Sequence, residues 1–315
     1  VAAFRYVAQA RHIGKVVLRQ PSVDVHVTSH GSYLIAGGLG GLGLSCARWL
    51  AARGAHDIVL AGRTAPSAEA KREMDEMRAM DVNVIWVQAD ISRRDDVDAL
   101  IARMSAELSP LRGIINAAGL LADATLTQQS WDDFRTVLGA KMDGSWHLHD
   151  ATRNLSLDFF VLFSSVASVL GSPGQSNHAA ANSFEDALAH ARRSIGLPAV
   201  SINWGAWSQL GSAVRADLEE RRARVGAGTL SPAEALLLFS HILSQNLAQV
   251  VAARMDWRRF ATQTPARAKA WLGDLVRNPE TTPLATPVTQ RQTHPDVDLT
   301  ERLASAPPSQ RPYML

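Results

Sequence analysis

One cysteine stands in the 315 residues. With Cys46 alone, no disulfide can form within the chain. Its apolar, helix-like surroundings read as a small buried core residue in a reducing, cytoplasmic setting rather than as a nucleophile. Lysine is nearly as scarce, at Lys15, Lys71, Lys141 and Lys269, and the formal net charge is only +2 with no Lys/Arg cluster. Neither a nucleic acid nor a membrane surface would find an electrostatic handle. No apolar run reaches the roughly 18 residues of a membrane-spanning helix, and the first residues carry no signal-peptide pattern. No metal site is expected. Tyrosine occurs only at Tyr6, Tyr33 and Tyr313.

What is present is a long α/β alternation. The stretches 32–37, 57–62, 82–88, 111–119, 157–165, 199–205 and 249–255 are short, apolar and β-branched. Helical patterns such as 42–55 and 94–108 lie between them. Strands that are apolar throughout, separated by helices, predict a parallel sheet covered on both faces. The fold class is therefore α/β, a Rossmann-type doubly wound parallel sheet. After about residue 276 the composition turns to Pro, Thr and Gln without apolar period, as in a linker.

"GGLGGLG" spans Gly37, Gly38, Leu39, Gly40, Gly41, Leu42 and Gly43, between the first strand and the first helix. Gly38, Gly40 and Gly43 satisfy G-x-G-x-x-G, and that position makes the motif specific for a dinucleotide. Glycines let the backbone approach a pyrophosphate, and the helix N-terminus offers free N–H groups and partial positive charge. An NAD site wants a carboxylate at the end of the second strand. Here the chain has Arg63 and Thr64, and a guanidinium matches a 2′-phosphate, which favours NADPH. Asp90, with Ile91 after the third strand, is placed for the adenine. Asn116, Ala117, Ala118 and Gly119 after the fourth strand are placed for the ribose and nicotinamide side.

These residues, with "LAGRT", "INAAGLLADATL", "GAKMDGSWHLH", "FVLFSSVASVLGSPGQ", "AAANSFEDALAHARR" and "SINWGAW", resemble the short-chain dehydrogenase/reductase superfamily. Within it, the chain most resembles the ketoreductase domain of modular type I polyketide synthases. The resemblance implies NADPH-dependent reduction of a β-ketoacyl thioester to a β-hydroxyacyl thioester. The partners it implies are a β-ketoacyl-phosphopantetheinyl acyl carrier protein and the enoylreductase and other domains of the same synthase. Ala36 stands where the superfamily usually has a threonine that braces the glycine loop.

The resemblance also implies the catalytic set: Ser165, Lys141 and Asn182, with His178 at the position where the family has its tyrosine. A tyrosine is neutral and proton-bearing at pH 7, and a nearby lysine helps it release that proton. An imidazolium is also an acid, but the lysine would push its pKa down and leave a neutral ring able to donate one N–H. Two readings stay open: a working ketoreductase using His178, and a weak or inactive pseudo-ketoreductase that binds NADPH as a scaffold. Asp123 resembles the last residue of the family's Leu-Asp-Asp signature. Leu170 replaces the tryptophan of the opposite class, and Pro173 and Asn177 suit the first. A D-configured hydroxyl is expected.

The same resemblance divides the chain into an enoylreductase tail (1–20), a linker (21–30) and the ketoreductase catalytic domain (31–275). A second linker (276–297) and the start of an acyl carrier protein (298–315) follow. The chain then reads as a piece of a longer polypeptide, without the ketoreductase's smaller structural half.

Overall fold

The computed structural model describes residues 27–208, 222 and 224–263. The enoylreductase-tail, second-linker and carrier-protein readings lie outside the described residues, as does most of the 21–30 linker. The described residues all belong to one unit of the chain, which is bounded at Gln263.

Seven strands form one parallel sheet: β1 (Ser32–Ala36), β2 (Asp57–Gly62), β3 (Asn83–Gln88), β4 (Leu111–Asn116), β5 (Phe159–Ser165), β6 (Val200–Trp204) and β9 (Gln249–Ala252). Two two-residue strands, β7 (Ala206–Trp207) and β8 (Thr229–Leu230), pair with each other separately. The order in the large sheet is β3-β2-β1-β4-β5-β6-β9. It reverses direction between β1 and β4, which opens a crevice beyond the carboxyl ends of those two strands.

Helices cover both faces. They are α1 (Gly41–Ala51), α2 (Ala68–Arg78), α3 (Arg94–Glu107), α4 (Trp131–Leu138), α5 (Gly144–Thr152), α6 (Ala167–Leu170), α7 (Ser176–Ser194), α8 (Pro232–Ser244) and α9 (Trp257–Gln263). Side chains alternate across each strand, so β1 sends Tyr33 and Ile35 to one core and Leu34 and Ala36 to the other. Trp49 and Leu50 of α1, Met74 and Met77 of α2, and Phe239 of α8 close the first core. Leu100 and Met104 of α3, Leu148 of α5 and Leu188 of α7 close the second. Each such side chain, fully buried, contributes roughly 1.5–3 kcal/mol. This two-sided burial is why the strands read as unbroken apolar runs.

Local chemistry sets the helix starts. Ser67 accepts from the Ala70 N–H, and Ser130 and Ser231 form reciprocal capping boxes with Asp133 and Glu234. α1 starts without a side-chain cap, because its N-cap is Gly40. The predicted helix 42–55 is shorter, since Ala52 already caps α1, and the predicted strand 249–255 stops at Ala252. Between α4 and α5 the chain widens into a π-helical turn, Gly139–Asp143. Single π-turns inside helices often mark functional sites. Tyr33, the one tyrosine among the described residues, is a core residue. Its ring stacks on Phe159 at 5.8 Å and its hydroxyl accepts from the Thr28 N–H at 2.7 Å.

A candidate active site at the carboxyl edge of the sheet

The glycine loop is held against two neighbours. Gly37 has φ +72°, and a Cβ there would stand 2.7 Å from the Ala118 backbone. A Cβ on Gly43 would stand 2.5 Å from the Gly37 carbonyl, so helix and loop touch backbone to backbone. The Ala117 N–H donates to the Ala36 carbonyl at 2.9 Å, which ties the loop's root to the 116–119 segment without a residue-36 hydroxyl. Leu39 and Leu42 pack onto the first core, leaving the Gly41 to Gly43 N–H groups of α1's first turn without intrahelical partners. A cradle that a Cβ would fill, at an uncapped helix N-terminus, fits a pyrophosphate.

At the end of β2, Arg63 and Thr64 are exposed, and the Arg63 guanidinium has no carboxylate partner among the described residues. The Arg63 carbonyl accepts from Gln88 Nε2 at 3.1 Å. One oxygen of Asp90 is taken by the Ser92 N–H (3.0 Å) and hydroxyl (2.7 Å). The Ile91 side chain lies in the second core, and its carbonyl accepts from His147 Nδ1 at 3.0 Å. Any contact from Ile91 to a cofactor is therefore made by its backbone. Asn116 is fully buried and turned inward. Its Oδ1 accepts from the Ala118 N–H (3.1 Å), and its Nδ2 donates to the Ser145 hydroxyl (2.8 Å).

The residues expected to react lie across β5, the π-turn and α7. Lys141 occupies the π-turn and is 4% exposed, so it is not a solvated surface lysine. Its Nζ donates to the Phe163 carbonyl at 2.7 Å and to Glu185 at 2.9 Å. A Cβ on Gly119 would stand 3.1 Å from Lys141 Cε, so the loop after β4 meets the lysine directly. Ser165 ends β5, and its Oγ accepts from the Ala167 N–H at 3.2 Å. No acceptor among the described residues claims its hydroxyl proton.

His178 and Asn182 share one face of α7, four residues apart. Asn182 Nδ2 donates to the His178 carbonyl at 2.7 Å, and the Asn177 side chain accepts from the His178 N–H at 2.7 Å. Two buried atoms on this face, His178 Nδ1 and Asn182 Oδ1, have no protein partner. Buried polar atoms ordinarily find one, so these two fit a ligand or water in the crevice. Burial, then the Lys141 charge, pushes the His178 pKa down to about 4. The direction expected from the lysine is present, and desolvation is the larger cause.

The segment bearing Asp123 is strapped to the start of α7. Gln175 Nε2 donates to both Asp123 oxygens (3.1 and 3.0 Å), and Asn177 Nδ2 donates to the Ala122 carbonyl (2.8 Å). The Ala124 N–H donates to the Gly174 carbonyl (3.0 Å). Leu170, half-buried, ends α6 just before Gly171, and Pro173 is exposed on the loop into α7.

Sequence reasoning missed three buried groups here: Glu185, Ser145 and Asp186. Glu185 was legible as the next position of the stripe 178, 182, 185. Asp186 accepts from Ser168 (2.6 Å), Ser201 (2.6 Å) and Asn203 (2.9 Å), and Asn203 also donates to the Ser165 carbonyl (3.3 Å). That network braces the end of β5. No cluster of His, Cys, Asp or Glu among the described residues could hold a metal ion. Cys46 is buried, and burial raises its thiol pKa far above the ordinary range.

A seven-stranded parallel sheet with a glycine cradle at its switch point matches the Rossmann-type fold of the short-chain dehydrogenase/reductase class. The family model described as "KR domain" matches residues 31–209, more than half of the chain, and the chain belongs to that family: it is a type I polyketide synthase ketoreductase domain. The chain is 42% identical over 273 residues to the phenolphthiocerol synthesis polyketide synthase type I Pks15/1 of Mycobacterium marinum, covering 85% of this chain and 13% of that protein. It is 42% identical over 261 residues to the mycoketide-CoA synthase of Mycobacterium tuberculosis, covering 81% of this chain and 6% of the relative. The chain thus spans a small part of these relatives' length. Among solved structures it is similar to "Structure of A-type Ketoreductases from Modular Polyketide Synthase" (TM-score 0.73, 35% identity, 79% of this chain, 52% of that one). It is also similar to the first ketoreductase of the tylosin PKS (TM-score 0.68, 38% identity, 74% of this chain, 51% of that one).

Proposed function

We propose that the domain reduces a β-ketoacyl thioester, presented on the phosphopantetheine arm of a carrier protein, to a β-hydroxyacyl thioester. NADPH is the cofactor and supplies the hydride. The observation that carries this reading is the combination of a buried Lys141 with two orphaned polar atoms, His178 Nδ1 and Asn182 Oδ1, beside the loop that ends at Gly119. The N–H groups of α1's first turn hold the pyrophosphate, and Arg63 with Thr64 takes the 2′-phosphate. The free Ser165 hydroxyl proton donates to the ketone oxygen as negative charge grows there. Lys141 supplies positive charge at the same end, and Asn182 Oδ1 accepts from a bound water or ligand hydroxyl.

His178 fills the proton-donor position. With a pKa near 4 its ring is neutral at pH 7 and donates a single N–H hydrogen bond, so the rate at neutral pH is low. That neutrality also favours a second reading, a scaffold that binds NADPH with little or no turnover. The product hydroxyl is read as D-configured from Asp123 and Leu170, with Pro173 and Asn177 at the substrate entrance. The partners follow from the same reading: the carrier protein and the other catalytic domains of a synthase.

The test incubates the domain with NADPH and a short β-ketoacyl thioester, following nicotinamide absorbance and resolving the product on a chiral column. Slow turnover to the D-alcohol is expected. Tight NADPH binding without turnover selects the scaffold, and an L-alcohol overturns the stereochemical assignment.

A further inference from the structure

Glu185 is the one carboxylate in contact with Lys141 among the described residues, and none of the proposed chemistry uses it. It is fully buried, with one oxygen on Lys141 Nζ (2.9 Å) and the other accepting from the Ser145 hydroxyl (3.1 Å). Asn116 Nδ2 approaches the same oxygen at 3.4 Å and also donates to Ser145. Glu185 therefore ties together the π-turn, α5, β4 and α7 behind the reacting face. An ammonium has three N–H donors. Glu185 and the Phe163 carbonyl occupy two of them, which leaves one for the crevice.

Resting on the ketoreductase reading, we infer that Glu185 is a positioning residue: it fixes the Lys141 ammonium so that one N–H is presented to the crevice, and its ionisation sets the charge at that end of the site. The groups around it bear this out. Burial pushes the Glu185 carboxyl up to about 7, opposed by the Lys141 charge and the hydrogen bonds from Lys141 and Ser145. On its own helix the adjacent Asp186 adds a smaller push upward. From other elements, the π-turn presents Lys141, α5 presents Ser145, and β4 presents Asn116. β6 and α6 address Asp186 instead, through Ser201, Asn203 and Ser168. The charged groups of α4, Asp132, Asp133 and Arg135, are engaged with one another or with Ser130. Above neutrality Glu185 neutralises Lys141; below it, the protonated carboxyl leaves the lysine charge uncompensated.

The test is nuclear magnetic resonance on the full chain carrying ¹⁵N only in its four lysines, with Lys141→Met identifying the Lys141 signal. The expected result is an ammonium signal protected from solvent exchange, whose position bends with pH near 7. Glu185→Gln should remove the bend, with a well-dispersed spectrum showing that the fold persists. Ser145→Ala, which takes one donor from the carboxylate, should move the bend to higher pH, and it decides the matter if the glutamine chain does not fold. An unchanged bend in Glu185→Gln, or in Ser145→Ala, overturns the inference. In kinetics, Glu185→Gln should lower kcat at least about tenfold with the KM for NADPH little changed, as expected when an interaction acts mainly in the transition state. A wild-type chain without turnover would refute the ketoreductase reading, while the lysine signal would still judge Glu185.

Discussion

Replacing His178 with tyrosine is the perturbation whose outcome the site determines most sharply. The histidine pKa is pushed down to about 4 by burial and by Lys141. At pH 7, three units above, only about one ring in 10³ carries the second proton. If the imidazolium is the acid, kcat should climb about tenfold for each pH unit below 7. Glu185, pushed up to about 7, titrates at the top of that range, so the slope is read below about pH 6, where its carboxyl is protonated. A tyrosine bears its proton in essentially every molecule at pH 7. Restoring a positioned acid is worth roughly 10²- to 10⁴-fold, or about 3–5 kcal/mol of barrier. His178→Tyr should thus be faster at neutral pH by about that factor, with a profile nearly flat between about pH 6 and pH 5, where Glu185 is already protonated. The assay is steady-state loss of NADPH absorbance against a short β-ketoacyl thioester at constant ionic strength. A flat wild-type profile together with a tyrosine variant no faster than wild type would refute the idea that residue 178 limits proton delivery.

Other consequences are equally direct. Arg63→Gln should weaken NADPH binding about 10- to 100-fold and leave NADH nearly unchanged, measured by fluorescence titration, because only the 2′-phosphate loses a charge-assisted partner. Lys141→Met should cost about 3–5 kcal/mol in urea denaturation by stranding the Glu185 carboxylate, whereas Lys141→Met with Glu185→Leu should recover most of it. A histidine depressed from 6.5 to about 4 binds fewer protons folded than unfolded, so its contribution is lost as pH falls from about 6.5 through 4. Glu185, raised from 4.5 to about 7, acts oppositely, losing stability as pH rises through that interval. Relative to wild type, His178→Phe should therefore gain about 2 kcal/mol more stability at pH 5 than at pH 7, read from urea midpoints.

The sheet and the cradle were legible because each depends on short-range pattern. Strands buried on both faces must be apolar at every position, and "GGLGGLG" between strand and helix has few other physical uses. Element ends were less legible: Ala52 and Ala252 close their elements through backbone geometry that composition does not announce. Of the reacting set, Lys141, Ser165, His178 and Asn182 were readable through resemblance. The burial of Lys141 was not, because a π-turn looks like ordinary helix in sequence. Asn116 was read, with Ala117, Ala118 and Gly119, as backing the ribose and nicotinamide side, and its side chain turns into the Ser145 and Glu185 network, which the sequence does not show.

The deeper reason lies in α7. A charged pair such as Glu185-Asp186 in mid-helix reads by default as a solvated face. Successive helical residues are about 100° apart, however, so two adjacent carboxylates address different neighbours. Glu185 continues the line of His178 and Asn182 and meets Lys141, while Asp186 turns toward β6 and α6 and, through Asn203, braces the carbonyl of Ser165. One helix thereby supports both halves of the proposed reacting set, the cation through Glu185 and the serine through Asp186. Burying two carboxylates is costly unless each is fully partnered, and five elements around α7 (the π-turn, α5, β4, α6 and β6) supply those partners from positions up to 69 residues away. No single-sequence pattern spans that separation. The helix that carries His178 is therefore also the element whose buried acids contact Lys141 and, through Asn203, the end of β5, and substitutions at Glu185 or Asp186 should disturb Lys141 and Ser165 separately rather than together.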